Sequence, residues 1–215
     1  AESAAADLED RIVTAFVNAN QALRNSKVTP NQLTFILHGI QPFDFDESTI
    51  IRDDVNTLIG DSNLQQSCDD ARADLVVVFT DGAYGDFGGW SGNLNVVNDS
   101  AVCIVDEVGT QLHTTVHEMA HLLGCRHDVV NDPNGTFEHG YIFKTGCWPF
   151  RDKQKTIMYS PASPQRIPYF SNPDVYYKKK PTGTDEQEDN AKQLRSNACT
   201  VADFRSDDVN SPFKV

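Results

Sequence analysis

The chain has 215 residues, with 18 Lys+Arg against 31 Asp+Glu, a formal net charge of -13 and 39% hydrophobic residues. That length suits one domain, or one domain divided around a cleft, and no stretch reaches the roughly 18 consecutive apolar residues of a membrane span. A surface this acidic repels phosphate backbones, so no nucleic-acid or membrane partner is expected, and the one basic run, Lys178 to Lys180, reads as a solvated turn before Pro181.

From Asp7 to Asn25 the residues Leu8, Ile12, Phe16, Ala19 and Leu23 recur at helical spacing, with acidic residues early and Arg24 late. The pattern predicts an amphipathic helix. Leu33 to His38 reads as a strand, and Glu47 to Ile59 as a second helix through Ile51, Val55, Leu58 and Ile59. Leu75 to Phe79 is short, β-branched and almost wholly apolar, as a central strand buried on both faces would be. Asp81 to Gly92 holds five glycines and Trp90, which points to an exposed loop or an irregular edge strand. Ala101 to Val105 makes a further strand and Gly109 to Leu123 a helix. Asp128 to Asn172, interrupted by prolines, reads mostly as loop, and Glu186 to Phe204 as a late helix. Strands alternating with helices imply an α/β arrangement with a mixed, largely parallel sheet.

The stretch from His117 to Asp128, HEMAHLLGCRHD, carries the chemistry. Residues four apart share one face of a helix, so His117 and His121 can point both imidazoles at one ion. His127 comes six residues later, where a continued helix would aim it away. Gly124 supplies the break, because glycine enters the left-handed conformation without steric cost, and His127 can then swing back as a third ligand. Three imidazoles leave a fourth position open, the mark of a catalytic zinc site. Glu118 adjoins the first ligand but lies off the ligand face, placed to take a proton from water and pass it to a leaving amine. Peptide-bond hydrolysis is the natural reaction. A zinc-dependent exopeptidase, or a zinc-containing module that binds peptides without cutting them, would share the motif. His113 lies four before His117 but is followed by Thr114 where a base would stand, and it is read as a non-ligand; His38 and His139 have no partners at ligand spacing.

Cys68, Cys103, Cys125, Cys147 and Cys199 show no CxxC spacing, which argues against a zinc ribbon or a redox pair. Two disulfides and one remaining thiol fit a secreted enzyme. A free thiol at Cys125 would compete for the ion, so Cys125 is expected to pair with Cys147, with a second bridge among Cys68, Cys103 and Cys199 pinning the late helix to the sheet. Acidic clusters at Asp44 to Glu47 and Asp69-Asp70 have the oxygen chemistry for Ca2+ but read as solvated surface.

The extended histidine motif resembles that of the metzincin zinc endopeptidases, in which a methionine turn follows beneath the metal. Thr156-Ile157-Met158-Tyr159-Ser160-Pro161 is similar to that turn, with Met158 as an apolar floor. Asp128 after the third histidine resembles the adamalysin or reprolysin branch, where this aspartate braces the turn, and Ser160 stands where astacins and serralysins carry a tyrosine. Residues 166–175 and the end of the late helix resemble secreted bacterial reprolysin-like enzymes and peptidyl-Asp metallopeptidases.

The resemblance implies one catalytic domain over 1–215, with a mixed twisted sheet and long helices in an upper lobe (about 1–124) and an irregular lower lobe (about 125–215) carrying a C-terminal helix. It further implies one catalytic Zn2+, protein or peptide substrates, a secreted monomer, and an inhibitory propeptide outside this chain. The family's opening strand has no counterpart before Asp7, as if trimmed. Substrate is expected to lie extended along Asp81 to Asn93, touching Gly88, Gly89 and Trp90. Arg166, in the segment that walls the primed side, is expected to bias cleavage toward bonds preceding an acidic residue.

Overall fold

The computed structural model describes residues 2–81, 84–85, 88–94, 100–106, 113–147, 149–161 and 166–205. Helix α1 spans Glu2–Asn25 and ends in a basic Arg24, as the helix dipole favours. It packs on α4, Thr114–Leu122, through Ala19, Ala22 and Leu23 against Val116, Met119, Ala120 and Leu123. The alanines on the two facing surfaces let the helices approach closely.

Leu33 to His38 does not form the expected strand. Asn20 on α1 explains why: its amide donates to the Phe35 carbonyl at 2.7 Å while its Oδ1 accepts from the Phe35 N–H at 2.9 Å. One side chain thereby satisfies both backbone groups that a neighbouring strand would have paired. Phe35 is buried in the core, and Ile36 is left 77% exposed.

The sheet contains β1 (Val76–Thr80), β2 (Gly89–Ser91) and β3 (Val102–Asp106) in the order β1-β3-β2. β1 runs parallel to β3, from Val76 opposite Val102 to Thr80 opposite Asp106; β2 runs antiparallel, with Gly89 opposite Val105. The sheet is mixed, but among the described strands its centre is β3, every residue of which is buried, and not the Leu75 to Phe79 run. An apolar run signals burial without saying which neighbour pairs on which side.

Two helices cover the sheet where one was expected. α2 spans Ile51–Ile59, and after Gly60 the chain restarts as α3, Ser62–Ala71, because Asp61 accepts from the Asn63 and Leu64 N–H groups as an N-cap. Only Leu64 and Cys68 of α3 are buried, too few to show periodicity. The expected start of the fourth helix, from Gly109, lies outside the described residues. Downstream, the predicted loop from Asp128 to Asn172 contains a hairpin of β4 (Ile142–Thr145) and β5 (Asp152–Lys155), and a second hairpin of β6 (Tyr176–Tyr177) and β7 (Lys180–Pro181) follows it. α5 spans Asn190–Ala202, and its Gln193 and Asn197 amides both donate to the Leu123 carbonyl at 3.0 Å. The final turn of α4 is thereby capped from α5.

All five cysteines are free, contrary to the expected bridges. Cys125 is fully buried and points its thiol at the Asn190 carbonyl, 3.7 Å away, whereas Cys147 is exposed in the β4–β5 turn. A tie between the late helix and the sheet side comes instead from Arg205, just past α5. Its guanidinium bonds Asp69, Gln65 and the Ala73 carbonyl, and its backbone N–H bonds Asp74, joining the end of α5 to α3 and the approach to β1.

Asn20→Ala removes both partners of Phe35 at once. It is expected to destabilise the fold by about 1–3 kcal/mol, the penalty for unpaired buried backbone groups, measured by urea unfolding against Asn18→Ala.

Candidate metal and catalytic site

The site is built around the end of α4. Gly124, at φ +89°, gives its N–H to the His121 carbonyl at 2.8 Å, and the Cys125 N–H reaches the Ala120 carbonyl at 2.9 Å. This pair of bonds is a Schellman reversal. It turns the chain so that His127 returns toward His117 and His121. The three Nε2 atoms stand 3.0, 3.1 and 3.2 Å apart.

Two backbone carbonyls fix the chemistry of that cluster. His117 Nδ1 donates to the Ile157 carbonyl at 2.8 Å and His121 Nδ1 to the Cys125 carbonyl at 2.7 Å. A carbonyl can only accept, so both Nδ1 atoms carry the proton and both Nε2 atoms present lone pairs. Burial, joined by the positive charge of Arg166 and the neighbouring imidazoles, holds the imidazoles neutral: all three histidines titrate below the usual 6.5, His121 at about 3. Converging lone pairs with no proton between His117 and His121 suit a cation. Three nitrogens placed tetrahedrally around zinc at about 2.0–2.1 Å stand about 3.4 Å from one another, close to the spacing observed. Among the described residues this is the one cluster of such side chains that brings its ligand atoms together.

Met158 follows the Ile157 whose carbonyl accepts from His117, and it is wholly buried in the same core cluster as Ile157 and Phe170. Asp128 Oδ2 accepts from the Ser160 N–H at 3.2 Å and from the Asn131 amide at 2.8 Å, and that amide also donates to the Ser160 carbonyl at 2.8 Å. Asp128 and Asn131 together hold the exit of the turn. Gly140 lets the turn approach, since a Cβ there would stand 2.5 Å from the Met158 carbonyl carbon. Neither Asn131 nor Gly140 is visible in the sequence as a site residue, because each acts through a contact between segments distant in the chain. His113 caps α4 at φ +59° and is not among the clustered ligands. His139, buried, directs Nδ1 to the His127 carbonyl at 2.9 Å.

Glu118 is buried on the α4 side that faces β2. A Cβ on Gly89 would lie 2.8 Å from its Cγ, so only glycine admits this contact. Burial pushes its carboxyl up to about 8, against the lowering effects of Arg166 and of a hydrogen bond from the Ser91 backbone. β2 is the last strand of the described sheet. Gly88 lies just before it, and Trp90 is partly buried against the cluster that α2 and β3 share. Four residues of the glycine-rich segment, at 82, 83, 86 and 87, lie outside the described residues.

Arg166 is 7% exposed, donates Nε–H to the Tyr159 carbonyl at 3.0 Å, and among the described residues leaves Nη1 without a hydrogen-bond partner. Burial lowers its pKa to about 10, while Glu118 acts in the opposite sense.

A family model described as Metallo-peptidase family M12 matches residues 1–171. Two peptidyl-Asp metalloendopeptidases from strains of Stenotrophomonas maltophilia are 25% and 28% identical to this chain over 210 and 213 residues. Each alignment covers 93% of this chain and 48% of the relative, so the chain spans about half the length of these relatives. A peptidyl-Asp metalloendopeptidase from Xanthomonas campestris pv. campestris is 31% identical over 102 residues, 46% of this chain and 23% of its own length. A chain in a solved structure described as "Structure of a chaperone-substrate complex" superposes with a TM-score of 0.68 at 17% identity, covering 93% of this chain and 32% of its own length. That likeness is one of fold.

The neutral histidines set a pH limit on the metal-free protein. Their folded pKa values lie below the unfolded 6.5, so the unfolded chain binds protons first as pH falls. The melting temperature of metal-free protein is expected to fall from about pH 6.5 downward. The fall is expected to shrink in His121→Asn, measured by scanning calorimetry in chelator.

Proposed function

The chain belongs to the Metallo-peptidase family M12, and from that premise we propose that it is the catalytic part of a zinc-dependent endopeptidase acting on protein or peptide substrates. The observation that carries this reading is the convergence of three Nε2 atoms beside one buried carboxylate at a sheet edge. His117, His121 and His127 would hold the metal, which supplies Lewis-acid polarisation of a substrate carbonyl and acidification of water.

The remaining steps fall to the chain's own side chains. Glu118 takes a proton from the attacking water and returns it to the leaving amine. Burial raises this carboxyl in the metal-free protein, and a carboxyl placed there can both accept and return a proton. The backbone of β2 offers an edge to which an extended substrate can add as a further strand. The contact of Gly89 with Glu118 would put the base beside that strand. The lobes on either side of this cleft, and action outside the cell, belong to the same proposal; the second draws on the resemblance to secreted enzymes, and the free cysteines lend it nothing. Glu118→Gln is expected to lower kcat by about 10^2- to 10^4-fold while zinc content stays at one per chain. The readout is an internally quenched peptide blocked at both ends, whose cleavage also separates endo- from exopeptidase action.

The proposal extends to specificity. Relatives of this chain are named peptidyl-Asp metalloendopeptidases, and Arg166 provides a physical reason for such a preference. A buried guanidinium whose Nη1 has no partner among the described residues is costly unless an anion joins it, and a carboxylate can do so with charge-assisted bonds. We assign Arg166 to the residue following the scissile bond. Truncating one member of such a pair costs about 2–5 kcal/mol, so Arg166→Ala should shrink the ratio of kcat/KM for Asp over Ala at that position by about 100-fold. The ratio cancels any general loss of catalysis. An unchanged ratio would remove Arg166 from recognition and leave the metal site as described.

A further inference from the structure

Most of the molecule is strongly acidic, but two hairpins beside the site are not. Residues 142–155 carry Lys144, Arg151, Lys153 and Lys155 against Asp152, and residues 176–181 carry Lys178 to Lys180 with no acid. Seven basic residues against one acidic give these segments a net charge of +6 within a chain of -13. The fold gathers them, since β7 lies alongside β4. The two hairpins are fastened by a run of rings: Tyr177 packs on Phe143 and Tyr169, and Phe143 stacks on Tyr141.

Within the first hairpin the charges are set against each other. Lys144 and Lys153 are direct cross-strand partners, and both are exposed. Like charges facing one another across a ladder are destabilising. In the second hairpin Lys178 and Lys179 both take positive φ, +47° and +67°, where glycine or asparagine is the usual occupant. Among the described residues none of Lys144, Arg151, Lys153, Lys178, Lys179 and Lys180 is held in an ion pair, although Lys178 sits over the Tyr177 ring. Phe150 and Tyr176, 85% and 66% exposed, add apolar surface to the same hairpins.

The basic surface connects to the site. β5 runs directly into the Met158 turn, and residues two apart on a strand share a face, so Lys153 is followed by Lys155 on the way in. Lys155 is buried, with Nζ over the Tyr159 ring at 5.0 Å and bonded to the Pro161 carbonyl at 3.2 Å. Tyr159 is also the residue whose carbonyl holds Arg166. The Lys155 ammonium is depressed in pKa first by burial, then by the charges of Arg166 and Lys153, which marks the three as electrostatic neighbours.

We propose that the β4–β5 and β6–β7 hairpins form an exosite for acidic polypeptide, taking carboxylate side chains of the substrate C-terminal to the scissile bond. The proposal rests on the endopeptidase reading and on the assignment of Arg166 to the residue after the bond. An acidic polypeptide is favoured over other polyanions because the basic surface continues from the wall of a peptide-hydrolysing site.

The test uses the zinc-loaded protein and two quenched peptides with one cleavage sequence, carrying either Glu or Gln at about three to six positions after the bond, the reach of this strand spacing. The Glu peptide is expected to have the higher kcat/KM, by about tenfold at low salt, with the advantage disappearing as screening increases. The double variant Lys144→Gln/Lys153→Gln should lose that advantage and cut the Gln peptide at the unchanged rate. Equal rates for the two peptides, or an advantage that survives both the substitutions and high salt, would overturn the exosite. Fluorescence anisotropy of the same labelled peptides on Glu118→Gln protein reads docking without turnover, so a failure of the peptidase reading is seen separately. Lysine-dependent binding of a sulfated polysaccharide or single-stranded oligonucleotide, with no discrimination between the peptides, would also overturn it.

Discussion

Two hydrogen bonds from imidazole to backbone carbonyl organise this molecule. With Nδ1 of His117 committed to Ile157 and Nδ1 of His121 to Cys125, the opposite nitrogens have no proton to share and face one another as lone pairs. The two carbonyls come from segments that must be brought to α4 by separate means. The Cys125 carbonyl arrives through the Schellman reversal at Gly124, a local event that six residues encode. The Ile157 carbonyl arrives through the Met158 turn, 40 residues from His117. It is held there by the Ile157 N–H bond to Tyr169, by Asp128 and Asn131 at Ser160, and by the missing side chain of Gly140.

This division explains what could be read in advance. The pairing of His117 with His121, the break at Gly124 and the return of His127 follow from helix geometry, so they are legible from spacing. Tertiary partners are not. Leu33 to His38 has the composition of a strand, but Asn20 takes its backbone bonds. α3 escapes notice because an N-cap at Asp61 outweighs a sparse apolar pattern. Cysteine count suggested bridges, yet Cys125 faces the Asn190 carbonyl and Arg205 ties the end of the late helix where a disulfide was expected. Arg166 was legible as a basic residue past the methionine turn. Its burial, and the lack of a partner for Nη1 among the described residues, are properties of the fold alone.

Charge is distributed against the average. A chain at -13 collects Arg166, Lys155 and five exposed lysines on one side of a site whose own ligands are held neutral by burial. Burying a guanidinium whose pairing is incomplete costs on the order of several kcal/mol. The fold bears that cost beside Glu118, whose carboxyl feels both burial and the same positive charge. Long-range repulsion of an acidic substrate by the remaining surface would be screened within about 8 Å at physiological ionic strength, which is why the proposed exosite relies on local charge.

The central claim is that His117, His121 and His127 together hold one zinc ion through nitrogen, with the buried Cys125 thiol turned away. Zinc-edge X-ray absorption of the protein loaded with one equivalent tests it directly. The account predicts three imidazole nitrogens at about 2.0–2.1 Å with the remaining contact from oxygen. A sulfur shell at about 2.3 Å, or a spectrum unchanged by His127→Ala, would contradict it.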